Sequence, residues 1–299
     1  MLGKHVYRKV PGVRIPPSPQ MPYYQDSLYY RDRGKGSVAI VLVHGWYQNG
    51  EQAWGSLLPE LQNHYRLFIP DLPGHGLNPK IPPHFSPRSN IDLLAVFVEY
   101  LRKTYRLKKI FVAGHSYGAY ATLALAAQHA DKLSGVMAFA AVDDYAPYRA
   151  RLKGVLAVPR WLEGLYYRLQ AVLAQFPYGD RLLLYTNVPP QLVPGKLEYA
   201  KIKNRVLSIS GSRAYMKTFM KSKVEWPREA LELPVFLGYG DRDNLTSAQW
   251  AKKILPHFSG GTMEVISDAG HNVQISGASD LAREIRGFIE KCLRPGRKN

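Results

Sequence analysis

A serine hydroxyl is a poor nucleophile until something exposes it, aims it and removes its proton. Ser116 sits in Gly114-His115-Ser116-Tyr117-Gly118, between the apolar run 110–113 and an Ala-rich stretch that continues to about residue 129. A strand turning sharply into a helix would meet the first two needs. It holds the serine in a strained backbone with Oγ projecting from the sheet. The flanking glycines make room where strand and helix cross too closely for side chains. The chemistry this suggests is acyl transfer, with Ser116 attacking a carbonyl.

That chemistry needs a base, an acid to orient the base, and donors for a developing oxyanion. Of the nine histidines, His271 in VISDAGHNVQIS is the one that follows the last expected strand and a glycine. The segment VFLGYGDRDNLT offers Asp241 and Asp243 as the acid. Asp243 is favoured because it lies a few residues past the strand end. Asp143 and Asp144, after the preceding strand, stay open as alternatives. The backbone N–H of Tyr117 is one expected oxyanion donor. The other is the N–H of Trp46, in the loop that ends VLVHGW. His44 is read as shaping that loop. His44 and Gly45, with Trp161 and Tyr166 further on, are candidates for bordering the substrate. Ser, Asp, His is the chain order this kind of fold uses.

These residues must be carried by strands and helices of matching kind. Residues 23–43 read as strand, turn, strand, and VAIVLVHG is apolar enough for a central strand covered on both faces. Further strands are expected at 65–70, 110–113, 133–142, 234–240 and 262–267. Leu93, Leu94, Phe97, Val98 and Leu101 have helical spacing, so 90–106 is read as a helix capped by Asn90-Ile91-Asp92. An amphipathic helix is expected near 278–292. Alternating strands and helices predict an α/β fold with a mostly parallel sheet, its ligand site beyond the C-terminal strand ends.

Residues 144–230 break the rhythm. They contain no convincing buried strand, several prolines, and 15 Lys+Arg against 6 Asp+Glu. They are read as a helical lid inserted between two strands. The core is then 23–143 and 231–299, and 1–22 is an irregular basic arm.

The chain has 299 residues, 46% of them hydrophobic, which is enough for one large core with an insertion. Its formal net charge of +17 is spread along the sequence. No zinc-ligand spacing or RNA-binding aromatic signature accompanies it, so specific nucleic-acid binding is not expected. Peripheral contact with an anionic membrane is compatible with the charge. The single cysteine, Cys292, forms no internal disulfide and is read as a packing or surface residue. There is no apolar stretch near 20 residues and no secretory signal pattern, so a cytoplasmic location is expected. Oligomeric state is not legible.

With these motifs the sequence resembles the α/β-hydrolase superfamily over about residues 23–292. The matched motifs are HGW at 44–46, DLPGHG at 71–76, GHSYGA at 114–119, GDRD at 240–243 and GH at 270–271. The resemblance implies an eight-stranded core, a lid after strand six, no metal and no cofactor. It also implies that His75 is structural. It disfavours epoxide hydrolases and haloalkane dehalogenases, whose nucleophile is a carboxylate. The leading expectation is a serine hydrolase cleaving a small-molecule carboxylic ester with an apolar acyl part, through an acyl-enzyme on Ser116. Carbon–carbon, lactone or thioester hydrolysis, and a non-catalytic ligand-binding role, are the alternatives.

Overall fold

A computed structural model describes residues 28–46, 48–78, 86–148, 222–243 and 245–294. In chain order its strands are β1 (Tyr30–Arg33), β2 (Val38–Val43), β3 (Arg66–Pro70), β4 (Lys109–His115), β5 (Gly135–Phe139), β6 (Val235–Gly240) and β7 (Gly261–Ile266). The helices are α1 (Gly50–Trp54), α2 (Leu58–Leu61), α3 (Pro87–Tyr105), α4 (Tyr117–His129), α5 (Ala251–Ile254), α6 (Val273–Ser276) and α7 (Ala278–Leu293).

The strands form one sheet in the order β1-β3-β2-β4-β5-β6-β7. All neighbours are parallel except β1, which runs antiparallel to β3 at the edge. Seven strands lie among the described residues, whereas the resemblance implies eight. The start of the first expected strand, at 23–27, lies outside them. Apolar runs with no polar alternation need cover on both faces, and the sheet provides it. Val41 and Val43 enter one core with Phe97, Leu101 and Tyr120 from α3 and α4. Ile40 and Leu42 enter the opposite core with Trp54, Leu61, Ile285 and Ile289 from α1, α2 and α7. The period of two along β2 thus divides one apolar strand between two layers of helix.

Helix α3 corrects one boundary. Its N-cap is Ser86, not the Asn90 region, and Asn90 is itself buried within the helix. Ser86 and Ser89 cap each other reciprocally, and Pro87 occupies the first turn, where its missing N–H costs nothing. The sequence SPRS resembles a turn as much as a helix start, which is why periodicity alone places the boundary too late. The helix ends where Arg106 turns left-handed, at φ 53°.

Between β5 and β6 the chain leaves and re-enters the core at one place. Asp144 and Lys223 form an antiparallel bridge. Val224 N–H donates to the Asp143 carbonyl at 2.7 Å, and Tyr145 N–H to the Ser222 carbonyl at 3.0 Å. The basic arm and most of the expected lid, including Trp161 and Tyr166, lie outside the described residues.

Two glycines make the β4–α4 junction possible. A Cβ on Gly114 would collide with the Gly118 carbonyl and Thr122 Oγ1. A Cβ on Gly118 would enter the Val43 and His44 carbonyl oxygens. Both obstacles include backbone of central elements, which cannot step aside. Gly118→Ala is therefore expected to cost about 3 kcal/mol or more, the upper range for overpacking a core. A urea-unfolding midpoint equal to that of the wild-type chain would refute this.

Candidate active site

Ser116 stands at the turn from β4 to α4 with φ 52° and ψ −115°. This is a positive-φ conformation in a non-glycine residue, of the kind that costs about 1–3 kcal/mol and persists only when its surroundings enforce it. The enforcing bonds are visible. Ser116 N–H donates to the Phe139 carbonyl at 2.9 Å, and Tyr120 N–H donates to the Ser116 carbonyl at 3.1 Å.

From Ser116 a line of hydrogen bonds runs to the end of β6. His271 Nε2 lies 3.0 Å from Ser116 Oγ, and His271 Nδ1 lies 2.9 Å from Asp243 Oδ2. An ionised carboxylate can only accept, so the imidazole proton sits on Nδ1 and Nε2 is left to accept from serine. The Asp243 side chain is fully buried, and that of His271 is 10% exposed. Burial by itself would raise the Asp243 pKa. The attraction of His271 and hydrogen bonds from His271 and Thr246 together outweigh it and leave the carboxyl below its usual range. Asp243 Oδ1 also accepts the backbone N–H groups of Leu245 (2.8 Å) and Thr246 (3.0 Å).

The other acids have other partners. Asp241 Oδ1 accepts from Ala269 N–H at 3.1 Å, joining the loops after β6 and β7. Asp143 Oδ2 accepts from the Trp226 indole at 3.1 Å, and Asp144 Oδ1 from Ala146 N–H at 2.7 Å.

Trp46 follows β2, in the loop that borders the elbow. Tyr117 opens α4, where first-turn N–H groups point out along the helix axis. His44 is fully buried between them and the loop after β3. Its Nε2 accepts from Leu72 N–H at 2.8 Å, so its proton lies on Nδ1, which donates to the Gly45 carbonyl at 2.7 Å. Both ring nitrogens thus meet backbone, as suits a residue that shapes the loop. Gly45 is tightly enclosed, since a Cβ there would meet His115 Nδ1 at 2.9 Å. Asp71, from DLPGHG, accepts from Gly50 N–H (2.8 Å), Arg31 (3.1 Å) and Leu77 N–H (3.0 Å), tying three loops together. His75 is buried, donates from Nδ1 to the Pro73 carbonyl at 3.1 Å and sets its ring edge-on to His44.

Three neighbours have no motif to announce them. His115, inside the elbow pentapeptide, donates from Nε2 to the main-chain carbonyl of His271 at 2.9 Å. Its Nδ1 lies 3.2 Å from the side-chain oxygen Oε1 of Gln48, the second neighbour, whose Nε2 donates to Asn272 Oδ1 at 2.8 Å. Burial first, and His271 next to it, push the His115 pKa down to about 3, so the ring is neutral. It holds the backbone of His271. The third is Tyr145, whose ring lies 5.9 Å from that of Tyr120, the residue whose N–H donates to the Ser116 carbonyl.

Among the described residues, no group of three or more His, Cys, Asp or Glu side chains is arranged to hold a metal ion. No helix among them is long and apolar enough to cross a membrane. Cys292, in the last turn of α7, packs against the edge of the core, and burial raises its thiol pKa.

A mostly parallel sheet with serine at the β4–α4 turn, and histidine and aspartate on later strand-end loops, is the architecture of the α/β-hydrolase class. The chain matches the family described as the alpha/beta hydrolase fold over residues 38–278, and it belongs to that family. It is similar to a pimeloyl-[acyl-carrier protein] methyl ester esterase of Neisseria meningitidis serogroup C, with 24% identity over 84% of this chain and 93% of that protein. It is also similar to a probable lysophospholipase, BODYGUARD 2, of Arabidopsis thaliana, with 22% identity over 87% of this chain and 61% of that one. Among solved structures, a thermophilic esterase from Thermogutta terrifontis superposes with a TM-score of 0.67 at 22% identity, covering 89% of this chain and 93% of the other.

Proposed function

We propose that this chain is a serine hydrolase that cleaves a small carboxylic ester through an acyl-enzyme on Ser116. The observation that carries the reading is the unbroken line Asp243–His271–Ser116, with contacts of 2.9 and 3.0 Å. Ser116 Oγ attacks the ester carbonyl as its proton passes to His271 Nε2. The carbonyl π pair moves onto oxygen, and the N–H groups of Trp46 and Tyr117 receive that charge. Collapse expels the alkoxide, which takes the proton back from His271 and leaves as an alcohol. Water then repeats the sequence on the acyl-enzyme and releases the acid. Asp243 holds the imidazole and stabilises its charged form. The nucleophile, base, acid and donors all come from this chain, so the reaction needs no metal or cofactor.

An apolar acyl part fits both the aromatic side chains around the serine and the relatives named for acyl esters. Residues 144–230 are read as the segment that covers the site, because the described ends of that insertion meet at the Asp144–Lys223 bridge, a few residues past Phe139, whose carbonyl accepts from Ser116 N–H. A fluorophosphonate probe is expected to add one phosphonyl group on Ser116, seen as an intact-mass shift that disappears in Ser116→Ala. A series of p-nitrophenyl esters of rising chain length should be turned over by the wild-type chain. Adduct formation without turnover of any ester would favour a non-catalytic ligand-binding role.

A further inference from the structure

Behind the line Asp243–His271–Ser116 lies a second set of bonds that closes on itself. Gln48 Nε2 donates to Asn272 Oδ1 at 2.8 Å. Gln48 Oε1 lies 3.2 Å from His115 Nδ1, and His115 Nε2 donates to the His271 carbonyl at 2.9 Å. These contacts join residues 224, 67 and 156 positions apart in the chain. Each corner stands beside a group that the reaction uses: Gln48 comes just after Trp46, His115 just before Ser116, and Asn272 just after His271. Gln48, His115 and Asn272 are all buried. Gly45 leaves room for the set, since a Cβ there would lie 2.9 Å from His115 Nδ1 and 3.3 Å from Gln48 Oε1.

We infer that Gln48 is a positioning residue, a strap that holds the oxyanion loop at a fixed distance from the base through Asn272 and from the elbow through His115. The inference rests on the hydrolase reading above. In that reading Trp46 N–H, Ser116 Oγ and His271 Nε2 must meet one tetrahedral centre together, and they come from three separate loops. Ser116 and His271 already touch, at 3.0 Å. Gln48 ties the third loop to the other two. An error of about 1 Å at a reacting group is enough to cost on the order of 100-fold in rate, so such a tie has kinetic weight.

The protons suit a closed set. Burial keeps the His115 ring neutral, and its one proton goes to the His271 carbonyl, so Nδ1 is an acceptor and calls for the NH₂ of Gln48. A half-turn of the Gln48 and Asn272 amides together supplies that donor. Asn272 then donates to Gln48 Oε1, and the bond between the two amides is kept with its sense reversed. Because the set is buried, removing one member leaves the others without water to replace it.

The test compares the full chain with Gln48→Met, which keeps the length of the side chain and removes its bonds. Asn272→Ala breaks the strap from the other end. Asn272 precedes α6 without capping it through its side chain, so this second variant carries the test if Gln48→Met does not fold. Three quantities are read on folded protein: kcat and KM on a p-nitrophenyl ester, the pH profile of kcat/KM, and the Ki of a trifluoromethyl ketone. The adduct of that ketone on Ser116 places a negative oxygen at the Trp46 and Tyr117 N–H groups. A displaced oxyanion donor predicts a fall of about 10–100-fold in kcat with KM within about twofold. The ketone Ki should rise by the factor by which kcat/KM falls, because both report binding of the transition state. The acid limb of the profile should stay in place, since His271 keeps its bond to Asp243. The double variant should be no slower than the slower single one, as for two residues acting through one bond. If the variants lower only the melting temperature and leave kcat and the ketone Ki at wild-type values, Gln48 is a packing residue and the inference is overturned, while the hydrolase reading survives. If the wild-type chain neither binds the ketone nor cleaves any ester, that reading falls and takes this inference with it.

Discussion

On the proposed reading, His271→Ala is expected to lower ester turnover by about 10⁴–10⁶-fold, the scale seen when the base of a serine–histidine pair is removed. Among the described residues, the side chain hydrogen-bonded to Ser116 Oγ is His271, through Nε2 at 3.0 Å. Asp243→Asn is the sharper variant, expected to lower kcat by about 10⁴-fold with little loss of structure. The amide introduced by this change would still accept the N–H groups of Leu245 and Thr246 through its carbonyl oxygen. Its NH₂ would then face His271 Nδ1, which must become the acceptor. The ring proton moves to Nε2 and points at Ser116 Oγ, so an intact geometry carries the wrong tautomer. Steady-state kinetics with a p-nitrophenyl ester, beside a thermal melt, separate the two effects. An Asp243→Asn enzyme within about tenfold of wild type would show that the carboxylate does not set the tautomer.

The second large effect is acid lability of the fold itself. His44, His75 and His115 are fully buried, and desolvation is the leading cause lowering each of their pKa values, to about 3 for His115. An unfolded histidine titrates near about 6.5. Below that pH the unfolded chain takes up protons that the folded chain refuses, so folding weakens as pH falls. The stability is complete above about pH 6.5 and is lost progressively from there toward the folded values. Each histidine contributes a slope of about 1.4 kcal/mol per pH unit in that window, and the three together up to about 4. The lowered pKa of Asp243 acts in the same direction, its contribution disappearing as pH falls through its folded value. Urea-unfolding free energies measured from about pH 7 to about pH 4.5 should drop steeply, and His75→Asn should remove about one proton from the slope. A flat profile across that range would contradict the burial of these rings as neutral groups.

The three histidines also link stability to the site. His44 shapes the loop that carries Trp46, His75 packs against His44, and His115 holds the main chain of His271. Protonating them loosens the same loops that would hold the oxyanion and the base. Activity and stability should therefore fall over one common pH interval on the acid side.

Much of this arrangement is local and so can be read along the chain. An apolar strand, a glycine-flanked serine and an Ala-rich helix are neighbours in sequence, and the β4–α4 turn needs only those neighbours. His271 and the aspartates at 241 and 243 show themselves in the same way, as polar residues just beyond a strand. The apolar runs of β2, β4, β5 and β6 likewise reveal their burial on both faces without any partner being known. Local pattern is weaker at the start of α3, where the capping pair Ser86 and Ser89 looks like a turn.

What the chain order by itself determined is therefore which residues stand at strand ends, in which order, and what chemistry their types permit. Only the tertiary structure decided which of them touch. Ser116 and His271 are 155 residues apart, and Asp243 and His271 are 28 apart. The parallel sheet brings their loops to one edge because every one of those strands ends on the same side. Sequence spacing favoured Asp243 over Asp241 but could not show the contact of either; a turn of two residues sends one carboxylate to Ala269 and the other to the imidazole. Nor could it show Gln48, His115 and Tyr145 at the site. Their contacts depend on side-chain direction and on loops packed from opposite ends of the chain, which no period along the sequence encodes.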